Sequence, residues 1–119
     1  MSIEADVNNA LRSDQELIAL LFNGINSIYE GYLPNAADHP AVVFATISDV
    51  PALVADDTEK ARRVTMQISI VTDFGEYDAI ESRVKAIMGN LGFMRANSTG
   101  LRDKESRMKI IRYVIGLEE

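Results

Sequence analysis

The spacing of apolar residues changes period once between Arg62 and Leu91, and no other feature constrains the fold as much. Val64, Met66, Ile68 and Ile70 alternate with Arg63, Thr65, Gln67 and Ser69, which predicts a strand over Arg62–Thr72 with one face in water. Tyr77, Ile80, Val84, Ile87 and Leu91 then share one face of a helix. Asp73 and Glu76 are placed to cap that helix, and Glu81 and Lys85 stand at i,i+4 in the favourable order. Gly89 and Gly92 mark its end.

The other segments are read around this pair. Ile3, Val7, Ala10 and Leu11 have helical spacing. Ser13-Asp14-Gln15-Glu16 reads as a capping box with Ser13 as N-cap, so one helix breaks near Ser13 or two short ones follow each other, ended by Asn23-Gly24. Ile28–Leu33 and Ala41–Ser48 read as strands on either side of a proline-bracketed loop, and the consecutive Val42-Val43-Phe44 implies cover on both faces. Pro51 and the run Asp56-Asp57-Thr58-Glu59 make residues 50–60 an exposed excursion. Phe93–Ala96 and Met108–Leu117 form a closing hairpin across Asn97-Ser98-Thr99-Gly100 and the charged segment beyond. In its last strand the apolar phase shifts, by a bulge near Ile110–Ile111 or by burial on both faces. The order α-β-β-β-α-β-β lacks the βαβ repeat of a parallel sheet. It predicts an α+β fold, a mainly antiparallel β-sheet with two helices packed on one face. Residues 1–119 read as a single domain, which buries roughly two-thirds of its unfolded surface.

Charge is distributed unevenly. The first 59 residues hold ten acids and one base, Arg12, for a net −9; the remaining 60 hold eight acids and eleven bases, for a net +3. The overall −6 disfavours a protein that grips nucleic acid over its whole surface. Bases gather at the last hairpin (Arg95, Arg102, Lys104, Arg107, Lys109, Arg112) without the stacking aromatics that nucleic-acid recognition uses.

Catalytic and metal chemistry find little to work with. With one histidine, His39, and no cysteine, zinc lacks its nitrogen and sulfur donors, and no disulfide can form. His39 lies between Asp38 and Pro40 in a loop with no nucleophile pattern, and is read as structural. The carboxylates of residues 56–59 lack the alternation and turn glycine of a calcium loop. Asp73-Phe74-Gly75 matches a kinase tripeptide by coincidence, its aspartate being read as a helix cap. The longest apolar run is Leu17–Phe22, too short to span a membrane. No catalytic, cofactor-binding or metal-binding residue is assigned.

The serial pattern resembles the small tail completion proteins, or tail-to-head joining proteins, of long-tailed phages and prophages. The resemblance is carried by Val7-Asn8-Asn9-Ala10-Leu11-Arg12-Ser13-Asp14 with Leu17 and Ile18, and by Asp38-His39-Pro40 leading into Val42-Val43-Phe44. It continues through the Val64–Val71 strand, Met88-Gly89-Asn90-Leu91-Gly92-Phe93-Met94-Arg95 and Met108-Lys109-Ile110-Ile111-Arg112-Tyr113. It implies a structural, non-catalytic virion protein. Such a protein forms a ring, typically a hexamer, at the head-proximal end of the tail. Its partners are copies of itself, the tail tube protein and head connector proteins, and DNA passes through without sequence-specific binding. Its location is the host cytoplasm during assembly and then the virion. A ring needs unlike surfaces to meet. The expected subunit interface sets Asp56, Asp57 and Glu59, with Leu53 and Val54 beside them, against Arg102, Lys104 and Arg107 of the next copy. The alternative is a small cytoplasmic ligand-binding or regulatory α+β module, although no convergent polar groups single out a pocket.

Overall fold

The alternating segment is the middle strand of a five-stranded sheet. The computed structural model describes residues 2–34, 38–55, 58–73, 77–102 and 107–118, of which 52–55, 58–60 and 101–102 by backbone alone. Helices α1 (Ile3–Ser13) and α2 (Gln15–Leu20) come first, then a 3-10 turn (Gly24–Ser27) and strand β1 (Ile28–Glu30). The hairpin of β2 (Ala41–Ala55) and β3 (Thr58–Thr72) leads to helix α3 (Asp78–Asn90). Strands β4 (Met94–Arg102) and β5 (Arg107–Glu118) complete the sheet, in the order β1-β2-β3-β5-β4. The short β1 is parallel to β2, and the other pairings are antiparallel. The α+β architecture is therefore the one expected.

One face of the sheet carries the core. Val42 and Phe44 of β2, Val64, Met66, Ile68 and Ile70 of β3, and Ile111, Tyr113 and Ile115 of β5 meet Val7, Leu11 and Leu17 from the first helices. Ile80, Val84, Ile87 and Met88 of α3 cover the same face, in keeping with the helical period. Burying each large aliphatic side chain contributes about 1.5–3 kcal/mol, so this layer supplies most of the driving force.

The opposite face is wet only in part. Val43, Ser69 and Val71 are buried there as well, and Tyr32 and Leu33 line a shallow depression with Val43, Ser69 and Met108. Segment 31–33 therefore serves as cover. Strand β1 ends at Glu30 instead of running to Leu33, because Gly31 takes φ 89° and turns the chain. The phase shift of β5 has the second of its two explanations. Ile111, Tyr113 and Ile115 face the core, Ile110 and Met108 are half-buried on the other side, and pairing with β3 runs without a bulge.

Local signals misplaced several boundaries. Asp14 rather than Ser13 caps α2, its carboxylate accepting from Leu17 N–H at 2.8 Å. Helix α2 stops at Leu20, so Asn23-Gly24 does not end it; Gly24, at φ 59°, opens the 3-10 turn. Tyr77 occupies the N-cap of α3 without a side-chain cap bond, so Asp73 does not cap that helix; Glu76 lies outside the described residues. Gly89 sits inside the last turn of α3, whereas Gly92, at φ 98°, follows its end and lets Phe93 N–H reach Met88 O at 3.0 Å. Asn97–Gly100 is strand rather than turn, because it continues β4 against β5 after an irregularity at Ala96. Strand β2 runs past Ser48 to Ala55, so residues 50–55 and 58–60 form the far half of the β2–β3 ladder, where pairing pulls even Pro51 into register with Arg62.

Candidate assembly surfaces

The charged side chains mostly tie elements of the chain to one another. Arg12, the sole base of the first 59 residues, donates to Asn8 Oδ1 at 2.6 Å, Ile25 O at 3.2 Å and Ile28 O at 2.9 Å. It thus fastens α1 to the 3-10 turn and β1. Asp14 joins α2 to α3: the Arg83 guanidinium donates to both carboxylate oxygens, and its Nε stands 3.4 Å from Glu16. The Arg83 donor holds the Asp14 carboxyl below its usual range, outweighing burial and helped by Leu17 N–H. Such charge-assisted pairing is stronger than a neutral hydrogen bond.

Glu81 turns away from the expected Lys85 toward the sheet, where Lys109 donates to it and Arg95 approaches to 3.7 Å. Below it, Tyr113 is buried, and its Oη meets no hydrogen-bond partner among the described residues. Burial, with the Glu81 charge beside it, pushes the Tyr113 phenol up to about 12. His39 Nδ1 stands 2.8 Å from Asp73 Oδ1, joining the segment before β2 to the one after β3. Among the described residues, no group of three or more His, Asp or Glu side chains is placed to hold a metal ion, and no helix is long and apolar enough to cross a membrane.

The expected interface residues divide between two ends of the sheet. Leu53 and Val54 lie in β2 and Glu59 in β3, with Val54 paired to Glu59 near the hairpin's tip; Asp56 and Asp57 lie outside the described residues. Arg102 ends β4 opposite Arg107, which also pairs with Thr72 at the far end of β3; Lys104 lies outside the described residues. The acidic and basic groups are thus separated by most of β3, about 40 Å along a 13-residue rise. They meet between copies only where neighbours are displaced along the strands.

The sheet's two edges went unnoticed in the sequence. Beyond Phe44, strand β2 outruns the three-residue β1, and on the other side β4 is the last strand. Among the described residues, neither edge has a further strand beside it. Among the strand residues whose side chains are described, the large, apolar and exposed ones all stand on these edges: Ile47 at 43% and Val50 at 44% on β2, and Met94 at 76% on β4. A second exposed group, Leu20, Phe22 and Ile25, runs from the last residue of α2 into the 3-10 turn.

A family model described as tail completion protein gp17 matches residues 5–109 of the chain. No curated protein matches it in sequence. Among solved structures, a chain from the virion of a native gene transfer agent particle is similar, with a TM-score of 0.70 and 17% sequence identity. The similarity covers 99% of this chain and 96% of that one. At this identity the likeness shows a shared fold.

Proposed function

The chain belongs to the tail completion protein gp17 family, and on that premise we propose that it is a structural, non-catalytic virion protein. It forms a ring, a hexamer, at the head-proximal end of the tail and joins tail to head. The family match over residues 5–109 carries this reading, and the fold shared with a chain of a phage-like particle supports it. A body whose charged clusters tie its own elements together also suits a building block.

Its partners are copies of itself, the tail tube protein and the head connector proteins, encountered in the host cytoplasm during assembly and retained in the virion. The net charge of −6 suits a conduit, because repulsion keeps passing DNA from sticking. Within the ring, the acidic Asp56, Asp57 and Glu59, with Leu53 and Val54, and the basic Arg102, Lys104 and Arg107 are candidate contacts between displaced copies. Exposed ion pairs are worth at most about 1 kcal/mol each, so they set orientation more than affinity.

Deletion of the gene tests the role. Full heads and complete tails that fail to join are expected; joined, infectious particles without the protein would refute it.

A further inference from the structure

We propose that the outer edge of β4 in one copy adds to the outer edge of β2 in the next, with Met94 opposite Val50 of the neighbour. The inference rests on the ring reading and names the surface that builds it. Strands β2, β3, β5 and β4 alternate in direction, so β2 and β4 run antiparallel within one sheet. Copies set side by side in one orientation therefore present β4 to the neighbour's β2 as an antiparallel pair. The two edges are different surfaces, as a ring of one subunit requires.

The register follows from the sheet itself. Residues directly opposite each other in an antiparallel pair point to the same face. Met94 aligns with Val114 and Thr65, and Val50 with Arg63, two residues further along β3. Both side chains therefore occupy the face that carries no helices. Displacing the neighbour by those two residues, about 7 Å along the strands, brings Met94 opposite Val50. That step also places Arg95 opposite Asp49, a base facing an acid on the helix-covered face. A displacement by one residue would set each side chain on the wrong face.

Two features limit the length of the contact. Pro51 supplies no backbone donor, so the ladder ends at Val50, and irregularities at Ile47 of β2 and Ala96 of β4 interrupt it once between Ala45 and Val50. Natural edge strands are usually blunted by charge. Here the large apolar side chains of Met94, Val50 and Ile47 stay exposed on these edges, beside the exposed Asp49 and Arg95. Past the ladder, β4 continues toward the end of β1, where the exposed Glu4 and Glu30 flank Phe44 and Ala45.

The chain has no cysteine, so introduced thiols report only on each other. Full-length Val50→Cys, Met94→Cys and the double variant are assembled onto tails, oxidised mildly and run on denaturing gels. The double variant should give a ladder of linked chains, a mixture of the two single variants should stop at dimers, and each single variant should stay monomeric. Val50→Cys with Thr99→Cys, five residues out of register, should remain unlinked. Thermal melting of each variant checks that the fold is kept. Rings seen by electron microscopy without Val50–Met94 linkage would overturn the edge contact and leave the ring standing. Linkage of a single variant to itself would also overturn it, because the contact would then join like edges. Tails without any ring of this protein would overturn both.

Discussion

Tyr113→Phe should stabilise the protein, although it removes a polar group from the core of a folded chain. The ring of Tyr113 packs in the main apolar cluster, and its Oη is buried without a partner among the described residues. A buried hydroxyl left unpaired costs about 1–3 kcal/mol of lost hydration, and phenylalanine removes that cost while keeping the ring. Part of the gain is lost to the small void left by the oxygen, so a net gain of about 1 kcal/mol is expected. The unfolding entropy of a domain is about 2.1 cal/mol/K per residue, or about 0.25 kcal/mol/K for a chain of this length. The melting temperature should therefore rise by about 4 °C, read by circular dichroism or calorimetry at pH 7. Tyr113→Ala is the control, with an expected loss of about 3–5 kcal/mol, because that variant removes the ring. A fall of several degrees in the phenylalanine variant would refute the argument, since it would mean that the hydroxyl makes a bond that matters. Spectroscopic titration gives an independent reading: Tyr113 should ionise near 12, and that late step should vanish in the variant.

Three further outcomes are expected. Asp14→Ala removes the cap of α2, at a cost of about 1 kcal/mol, together with the tie to α3, whereas Asp14→Asn keeps a capping oxygen and should lose less. Because folding lowers the Asp14 pKa, its contribution is fully present above the unfolded value near 4 and is lost as pH falls through the folded value. The melting difference between wild type and Asp14→Asn should therefore shrink in acid. Gly92→Ala forces a side chain into φ 98°, with its Cβ 3.3 Å from Ile115 Cδ1, and should cost about 1–2 kcal/mol in a denaturant titration. The charged contact needs copies displaced by about 40 Å along the strands and the β2–β4 edge contact by about 7 Å, so Asp56→Lys with Asp57→Lys separates the two. Impaired rings by electron microscopy favour the charged contact, and unchanged rings rule those residues out of the interface and leave the edge contact standing.

Periodic features of the chain were legible in the sequence, and features made by tertiary contact were not. The alternation in β3 and the apolar stripe of α3 are repeated signals, and each residue reinforces the reading of the next. Capping rests on single residues. Ser13 and Asp73 were both plausible caps, but Asp14 took the first role through Arg83, 69 positions away, and His39 drew Asp73 into a different bond. Glu81 chose Lys109 over Lys85 for the same reason, since the sheet brought a second cation within reach. The candidate interface was harder still. Charge could be located along the chain, but only strand order reveals that the acidic tip and basic hairpin lie at opposite ends, and that β2 and β4 are edges.

The length of the β2–β3 hairpin also has a kinetic consequence. Near Val42–Phe44 the sheet is covered on both faces, while beyond Val64 its strands run on past the helical layer as part of a body 52 Å long and 28 by 23 Å across. Amide hydrogen exchange should therefore be graded along β3, slowest at Ile68 and Ile70 and progressively faster toward Ala61. The far end can open and re-form many times during the lifetime of the folded core. A surface needed for assembly can in this way adjust to a neighbour while the layer that holds the chain together stays closed.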